Sequence, residues 1–185
     1  ESGVSAIRLS LEDFYLSRSE RASRGLRWRA VPGSHDMDRL REVLDWICTG
    51  HAEGAWIPRF DMDRDAHGPP QYVSAAPMLL VLEGWFVGGN APGYEWLNSL
   101  IDRLVYIDTT IQCLKRWRFE RESLALYPLS QQDLAAFWED ALAPGIRKWV
   151  LPIEADADAV VRYDEQRNAH VRFSMTARVR EVVDE

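Results

Sequence analysis

Acids stand at the ends of three apolar runs in this chain: Glu12-Asp13 after "AIRLS", Glu83 after "MLLVL" and Asp108 after "RLVYI". A carboxylate closing a buried strand is the arrangement that orients magnesium or its waters beside a nucleotide triphosphate. In "VLEGWFVGG" the glycine after Glu83 lets the backbone turn sharply, and a simple strand-to-loop turn is the competing reading. The run "CLKRWRFERE" offers a second chemistry. On a helix, Lys115, Arg118 and Arg121 fall at three-residue steps on one basic face, with Arg116 beside it. Guanidinium forks match phosphate oxygens in pairs, so this face can clamp phosphate. A solvated charged face is the alternative, and Glu120 and Glu122 can neutralise part of it.

Two Pro-marked loops deliver further polar groups. "AVPGSHDMD" carries His35 and Asp36, and "IPRFDMDRD" carries Arg59, Asp61, Asp63, Arg64 and Asp65. Together they suit a small polar or anionic ligand. Asp61, Asp63 and Asp65 mimic the start of a calcium loop. Ala66-His67 stands where the turn glycine belongs, and no closing Glu follows at the right distance, so an EF-hand is excluded.

The elements that must position these groups follow from hydrophobic periodicity. Residues 5–11 read as a strand. Met37, Leu40, Val43, Leu44 and Ile47 recur at helical spacing over 36–48, with Ser34 or Asp36 as the cap. A Gly/Pro-bounded loop then leads to "PMLLVLEGW", whose apolar core Met78–Leu82 predicts a strand buried on both faces. Residues 103–109 predict another buried strand. The helix that follows, "DTTIQCLKRWRFERESL", can be capped by Asp108 or Thr109. A further helix covers 130–142, with Leu134, Phe137, Trp138 and Ala141 on one face. A late strand spans 157–164, and "HVRFSM" can add an edge hairpin. Strands alternating with helices predict an α/β sandwich with a mostly parallel sheet, in which ligands sit at the carboxyl ends of the strands. The three strand-end acids are thus expected to converge on one edge.

The bulk composition narrows the function. A length of 185 residues suits one domain, and 46% hydrophobic with 28% charged residues is ordinary globular composition. The net charge of −7 gives no general attraction to nucleic acid or anionic membranes. Cys48 and Cys113 have no paired spacing, so neither a disulfide framework nor a zinc site is indicated. No apolar run reaches the roughly 18 residues of a membrane span, and the first residues lack signal-peptide order, so a cytoplasmic location is expected.

The motifs "SLEDFYL", "VPGSHDMDRLREVL", "IPRFDMDRD", "LEGWFVG" and "LKRWRFERE", in that order, resemble the glycerate kinase-like branch of the P-loop kinases. Uridine kinase, phosphoribulokinase and bacterial pantothenate kinase are the wider relatives. The likeness covers most of the chain, including "FWEDALAPGIRKWVLPIEADADAVVRYD". It implies a P-loop NTPase-type three-layer sandwich over residues 1–185, acting as one kinase-like domain. The implied activity is transfer of the ATP γ-phosphate to a hydroxyl of a small metabolite such as glycerate, with Mg²⁺. It also implies roles. Glu12 matches the group that accepts or orients the acceptor hydroxyl, and Asp13 the second acid. Glu83 matches the acid near magnesium. Lys115, Arg116, Arg118 and Arg121 match a basic lid over the phosphates, with Arg118 and Arg121 stabilising the transferring group. Tyr15, His35, Asp36, Arg59 and Asp61 match the acceptor side.

Two departures stand out. Glu12 occupies a position that is normally Asp, and the extra methylene can move a carboxylate by over ~1 Å, a displacement worth ~10²-fold in rate; Asp13 is the candidate substitute. The sequence also has no G-x-x-x-x-G-K-[ST], and its two lysines, Lys115 and Lys148, follow no glycine-rich loop. In the resembled topology the strand before that loop lies mid-sheet, and its absence leaves apolar edges and no backbone N–H cradle for phosphate. The expectation is that an N-terminal segment or a second chain completes the sheet, and that these residues alone do not bind ATP in the ordinary way. The alternative is a non-catalytic binding or regulatory protein on a degenerate kinase scaffold.

Overall fold

The computed structural model describes residues 5–50 and 53–173. Strand β1, Ala6–Ser10, brings the chain to a single 3₁₀ turn, Leu11–Phe14. The Ser10 hydroxyl caps that turn by accepting the Glu12 N–H at 3.2 Å. Leu11 and Phe14 are buried, which leaves the two acids between them on the outer side of the turn. Helix α1, Arg18–Ser23, starts from a capping box in which Ser17 and Glu20 satisfy each other's backbone N–H groups. Helix α2, Met37–Cys48, has the expected bounds, with Asp36 accepting the Arg39 N–H at 3.0 Å. Its Leu40, Val43 and Leu44 enter a core with Leu9, Leu11, Phe14, Ile57, Phe86 and Tyr94.

The segment read as a loop after α2 instead contains an antiparallel hairpin, β2 (Ala55–Asp61) with β3 (Ala66–Val73). Trp56, Ile57, Phe60, Tyr72 and Val73 supply β-forming side chains. Pro58 lies at a register shift between Ile57 and Arg59, where its lack of a ladder donor is tolerated. "IPRFDMDRD" is therefore the end of a strand and a hairpin turn. The Asp61 carboxylate shapes that turn by accepting the N–H groups of Asp63 and Arg64 at 3.1 and 3.0 Å.

Strand β4, Leu79–Glu83, runs parallel to β1 with Ser10 opposite Glu83. Strand β5, Val105–Asp108, runs parallel to β6, Ala159–Tyr163, and β6 pairs with β7, Ala169–Phe173. Thus the edge hairpin is present, and Ser174 and Met175 of "HVRFSM" lie outside the described residues. Helix α3, Ile111–Ser123, is capped by Thr110, whose hydroxyl accepts the Cys113 N–H at 3.2 Å. The anticipated caps are engaged elsewhere: Asp108 binds Arg162, and the Thr109 hydroxyl donates to the Tyr163 carbonyl at 2.9 Å. Helix α4, Gln131–Phe137, continues through π and 3₁₀ turns to Asp156, and buries Leu134, Phe137, Trp138 and Ala141 as expected.

Neither β4 nor β5 is buried on both faces. Leu80 and Leu82 pack on the core, whereas Leu79 and Val81 on the opposite face are 50% and 51% exposed. Similarly Tyr106 is buried while Val105 and Ile107 are 53% and 60% exposed. Among the described residues the strands form three separate sheets, β1–β4, β2–β3 and β5–β6–β7, so β4 and β5 are each paired along one edge only. An apolar run does not reveal how many of a strand's sides find partners.

Candidate active site

The parallel register of β1 and β4 places the acid turn level with the end of β4. Between them lies a cavity of about 250 Å³, to which Glu12, Glu83 and Arg121 contribute charge, and Tyr15 and His35 contribute polar rings. Leu11, Trp85 and Phe86 form its apolar wall. A Cβ on Gly84 would sit 2.4 Å from the Leu11 Cβ, so only glycine lets β4 turn this close to the acid turn.

Glu12 is partly buried, and its carboxylate has no hydrogen-bond partner among the described residues. Desolvation pushes its pKa above the ordinary carboxylate value. Arg121 opposes the rise, Glu83 adds to it by like-charge repulsion, and Arg29 and Arg118 oppose it. A carboxylate whose pKa is raised by burial is a stronger proton acceptor than an exposed one. Glu83 is exposed at the cavity.

His35 is buried with its Nδ1 2.6 Å from the Tyr94 hydroxyl. Its ring stacks on Tyr15 at 4.3 Å and meets Phe86 edge-on at 6.1 Å. Burial, helped by the positive charge of Arg21, lowers its pKa to about 3, so the imidazole is neutral. Burial and the nearby Glu12 push the Tyr15 phenol far up, which keeps its proton in place as a donor.

Not every residue expected at the site reaches the cavity. Asp13 turns away to Arg59, at 2.5 Å from Oδ2 to Nη1. Asp36 is the cap of α2, and Asp61 shapes the hairpin turn. Asp108 pairs with Arg162 in the other sheet, so two of the three strand-end acids converge and the third does not. Along α3, Lys115 pairs with Glu139 at 3.0 Å, and Arg116 donates to the Glu165 carbonyl at 2.9 Å. Arg118 lies against Glu122 at 2.9 Å and over the Phe137 ring at 5.5 Å. Arg121 is the member of this basic set that lines the cavity.

Sequence reasoning missed Tyr94 and Trp85, and also Arg29, whose Nη1 is held 3.0 Å from the Met62 carbonyl and 3.5 Å from Asp65. Trp85 could have been found, since it follows the singled-out Glu83-Gly84; Tyr94 and Arg29 carry no local signal.

A carboxylate is the hard oxygen donor that Mg²⁺ prefers, and a Mg²⁺ beside a triphosphate commonly takes only one or two protein carboxylates, completing its shell with phosphate and water. Glu83, exposed at the cavity, fits that requirement. Among the described residues no group of three or more His, Cys, Asp or Glu could hold a metal by itself. None of their helices is long and apolar enough to cross a membrane.

No protein-family model matches the chain. Among curated proteins it is 29% identical over 98 residues to the probable ATP-dependent kinase TDA10 of Saccharomyces cerevisiae, covering 44% of this chain and 34% of that protein. It is also 29% identical over 100 residues to the uncharacterized kinase mug58 of Schizosaccharomyces pombe, covering 45% of this chain and 36% of the relative. The match thus spans about a third of either relative's length. Among solved structures, the YGR205w protein superposes with a TM-score of 0.71 at 21% identity, over 94% of this chain and 80% of that one. A D-glycerate 3-kinase from Cryptococcus neoformans gives 0.71 at 16% identity, over 93% and 81%. The chain carries the fold of the P-loop kinases; both curated relatives are named as kinases, and one structural neighbour as a D-glycerate 3-kinase.

Proposed function

We propose that this chain forms the acceptor side and lid of an ATP-dependent kinase that phosphorylates a hydroxyl of a small metabolite such as glycerate. The observation carrying this reading is the cavity of about 250 Å³ in which Glu12, Glu83 and Arg121 meet beside the neutral ring of His35. Its volume suits a small acceptor. Glu12 accepts or orients the acceptor proton, which its raised pKa favours. Tyr15 and His35 bind the acceptor through uncharged polar groups. Arg121 stabilises charge on the transferring phosphoryl group from the rim, with Arg118 behind it. Glu83 would hold Mg²⁺ through water, and the bound ion would neutralise charge on the β- and γ-phosphates.

The phosphate cradle is not among these 185 residues, which contain no G-x-x-x-x-G-K-[ST]. We place the element that carries it along the free edges of β4 and β5, supplied by a further segment or by a second chain. Among the described residues each of those strands is paired along one edge only, which supports that placement, and the half-exposed Leu79, Val81, Val105 and Ile107 leave a face for an adjoining element to cover. The test is ADP formation by the full-length protein with ATP, Mg²⁺ and a panel of hydroxy acids, sugars and nucleosides. Acceptor-dependent ADP is expected, and none above background with any acceptor overturns the proposal.

Glu12 in place of Asp also supports a second reading, a non-catalytic binding or regulatory protein on the same scaffold. Calorimetry with ATP-Mg²⁺ separates the two, because a full-length, folded protein that binds no nucleotide favours the second.

A further inference from the structure

Two adjacent acids in a 3₁₀ turn cannot both serve one cavity. With three residues per turn, neighbouring side chains leave the axis about 120° apart. In the Leu11–Phe14 turn this geometry sends Glu12 to the cavity and Asp13 to the β2–β3 hairpin. Both oxygens of Asp13 are occupied there. Oδ2 accepts from Arg59 Nη1 at 2.5 Å, and Oδ1 accepts the Phe60 N–H at 3.4 Å. The other Arg59 nitrogen donates to the Gln71 side chain on β3. These contacts hold the Asp13 carboxylate toward the hairpin and away from the cavity, and they turn both terminal nitrogens of Arg59 to protein partners.

The pair sets the position of the hairpin. The Phe60 ring, next to Arg59, packs edge-on against Tyr15 at 5.6 Å, and Tyr15 lines the cavity beside Glu12. The far end of the hairpin is held separately, by Arg21 on Asp65 at 2.5 Å and by Arg29 on the Met62 carbonyl. The Asp13–Arg59 contact therefore anchors the near end, where a small displacement would reach the cavity wall directly.

We propose that Asp13, Arg59 and Gln71 form a positioning clamp that seats the hairpin against Tyr15, so that Asp13 acts through the cavity wall and not on the acceptor. This rests on the kinase reading for its catalytic half, while the clamp itself can be tested without activity. The experiment compares full-length Glu12→Gln, Asp13→Asn, Arg59→Gln, Arg59→Lys and the Asp13→Asn/Arg59→Gln double variant, by pH–rate profile and by thermal unfolding.

Glu12→Gln should lower kcat by at least ~10²-fold and abolish the acidic limb of the profile. Asp13→Asn and Arg59→Gln should lower kcat by roughly 10- to 100-fold through misplacement of the wall while retaining that limb. Arg59→Lys should recover part of the loss, because it restores the charge but not the fork. The double variant should unfold no earlier than the worse single variant. Loss of the acidic limb in Asp13→Asn, or a raised KM at unchanged kcat in Arg59→Gln, overturns the assignment, since each means direct contact with the acceptor. If the wild type turns over no acceptor, the kinase reading fails and the unfolding cycle alone judges the clamp, with additive midpoint shifts refuting it.

Discussion

Protonating His35 should unfasten the core beneath the site, and the size of the effect follows from its environment. The ring is 3% exposed, packed among Tyr15, Phe86 and Tyr94, and its pKa falls from 6.5 in the unfolded chain to about 3 in the fold. Between those values the unfolded chain binds a proton that the native state refuses, so stability rises with pH. The contribution is complete above the unfolded pKa and is lost as pH falls toward the folded one. The slope is about 1.4 kcal/mol per pH unit, so lowering the pH from 6.5 to 5.0 should remove about 2 kcal/mol. For a chain of this length that corresponds to roughly 4–8 °C in unfolding temperature. The assay is thermal unfolding of wild type and His35→Gln at half-unit steps from pH 7 to 5. His35→Gln loses the stacked ring and is less stable at pH 7, but the gap should narrow by about 2 kcal/mol at pH 5. Parallel curves across this window would refute the claim that the native state excludes the proton from His35.

Three further outcomes follow from the same packing. Because the folded pKa of Glu12 lies above its unfolded value, its carboxyl stabilises the fold only at low pH and loses that contribution as pH rises through the folded pKa. Glu12→Gln should therefore unfold at a higher temperature than wild type at pH 7, with the advantage vanishing below about pH 4.5. Glu122→Ala leaves Arg118, 13% exposed, without its partner at 2.9 Å and frees the Leu129 N–H, so chemical denaturation should show a loss of about 3–5 kcal/mol. Gly84→Ala drives a methyl into Leu11, whose Cβ would be 2.4 Å away. Overpacking of this kind costs about 1–3 kcal/mol, and a calorimetric unfolding scan should show it.

The local elements were legible in the sequence because their determinants are local. Helical spacing of Leu40, Val43 and Leu44 with Asp36 at the cap places α2, and the run from Leu134 to Ala141 places α4. Ordered motifs likewise pointed to the kinase fold. The β2–β3 hairpin escaped because Pro58, Pro69 and Pro70 read as loop signals. A two-stranded ribbon accepts proline at a register shift or along an unpaired edge, which periodicity does not register.

The site was legible only as a set of candidates, and partner choice over long sequence separations selected among them. Glu12 and Glu83 meet because β1 and β4 pair in parallel with Ser10 opposite Glu83. Asp108 is withdrawn by Arg162, Asp13 by Arg59, Lys115 by Glu139 and Arg118 by Glu122. A charged side chain's type and spacing say what it can bind, but which counter-charge reaches it first depends on the packing of elements remote in the chain. The apolar runs of β4 and β5 obey the same rule. Their apolar, β-branched composition is enough to make them strands, but among the described residues each pairs along one edge and leaves one face half-exposed, because burial belongs to neighbours and not to the strand.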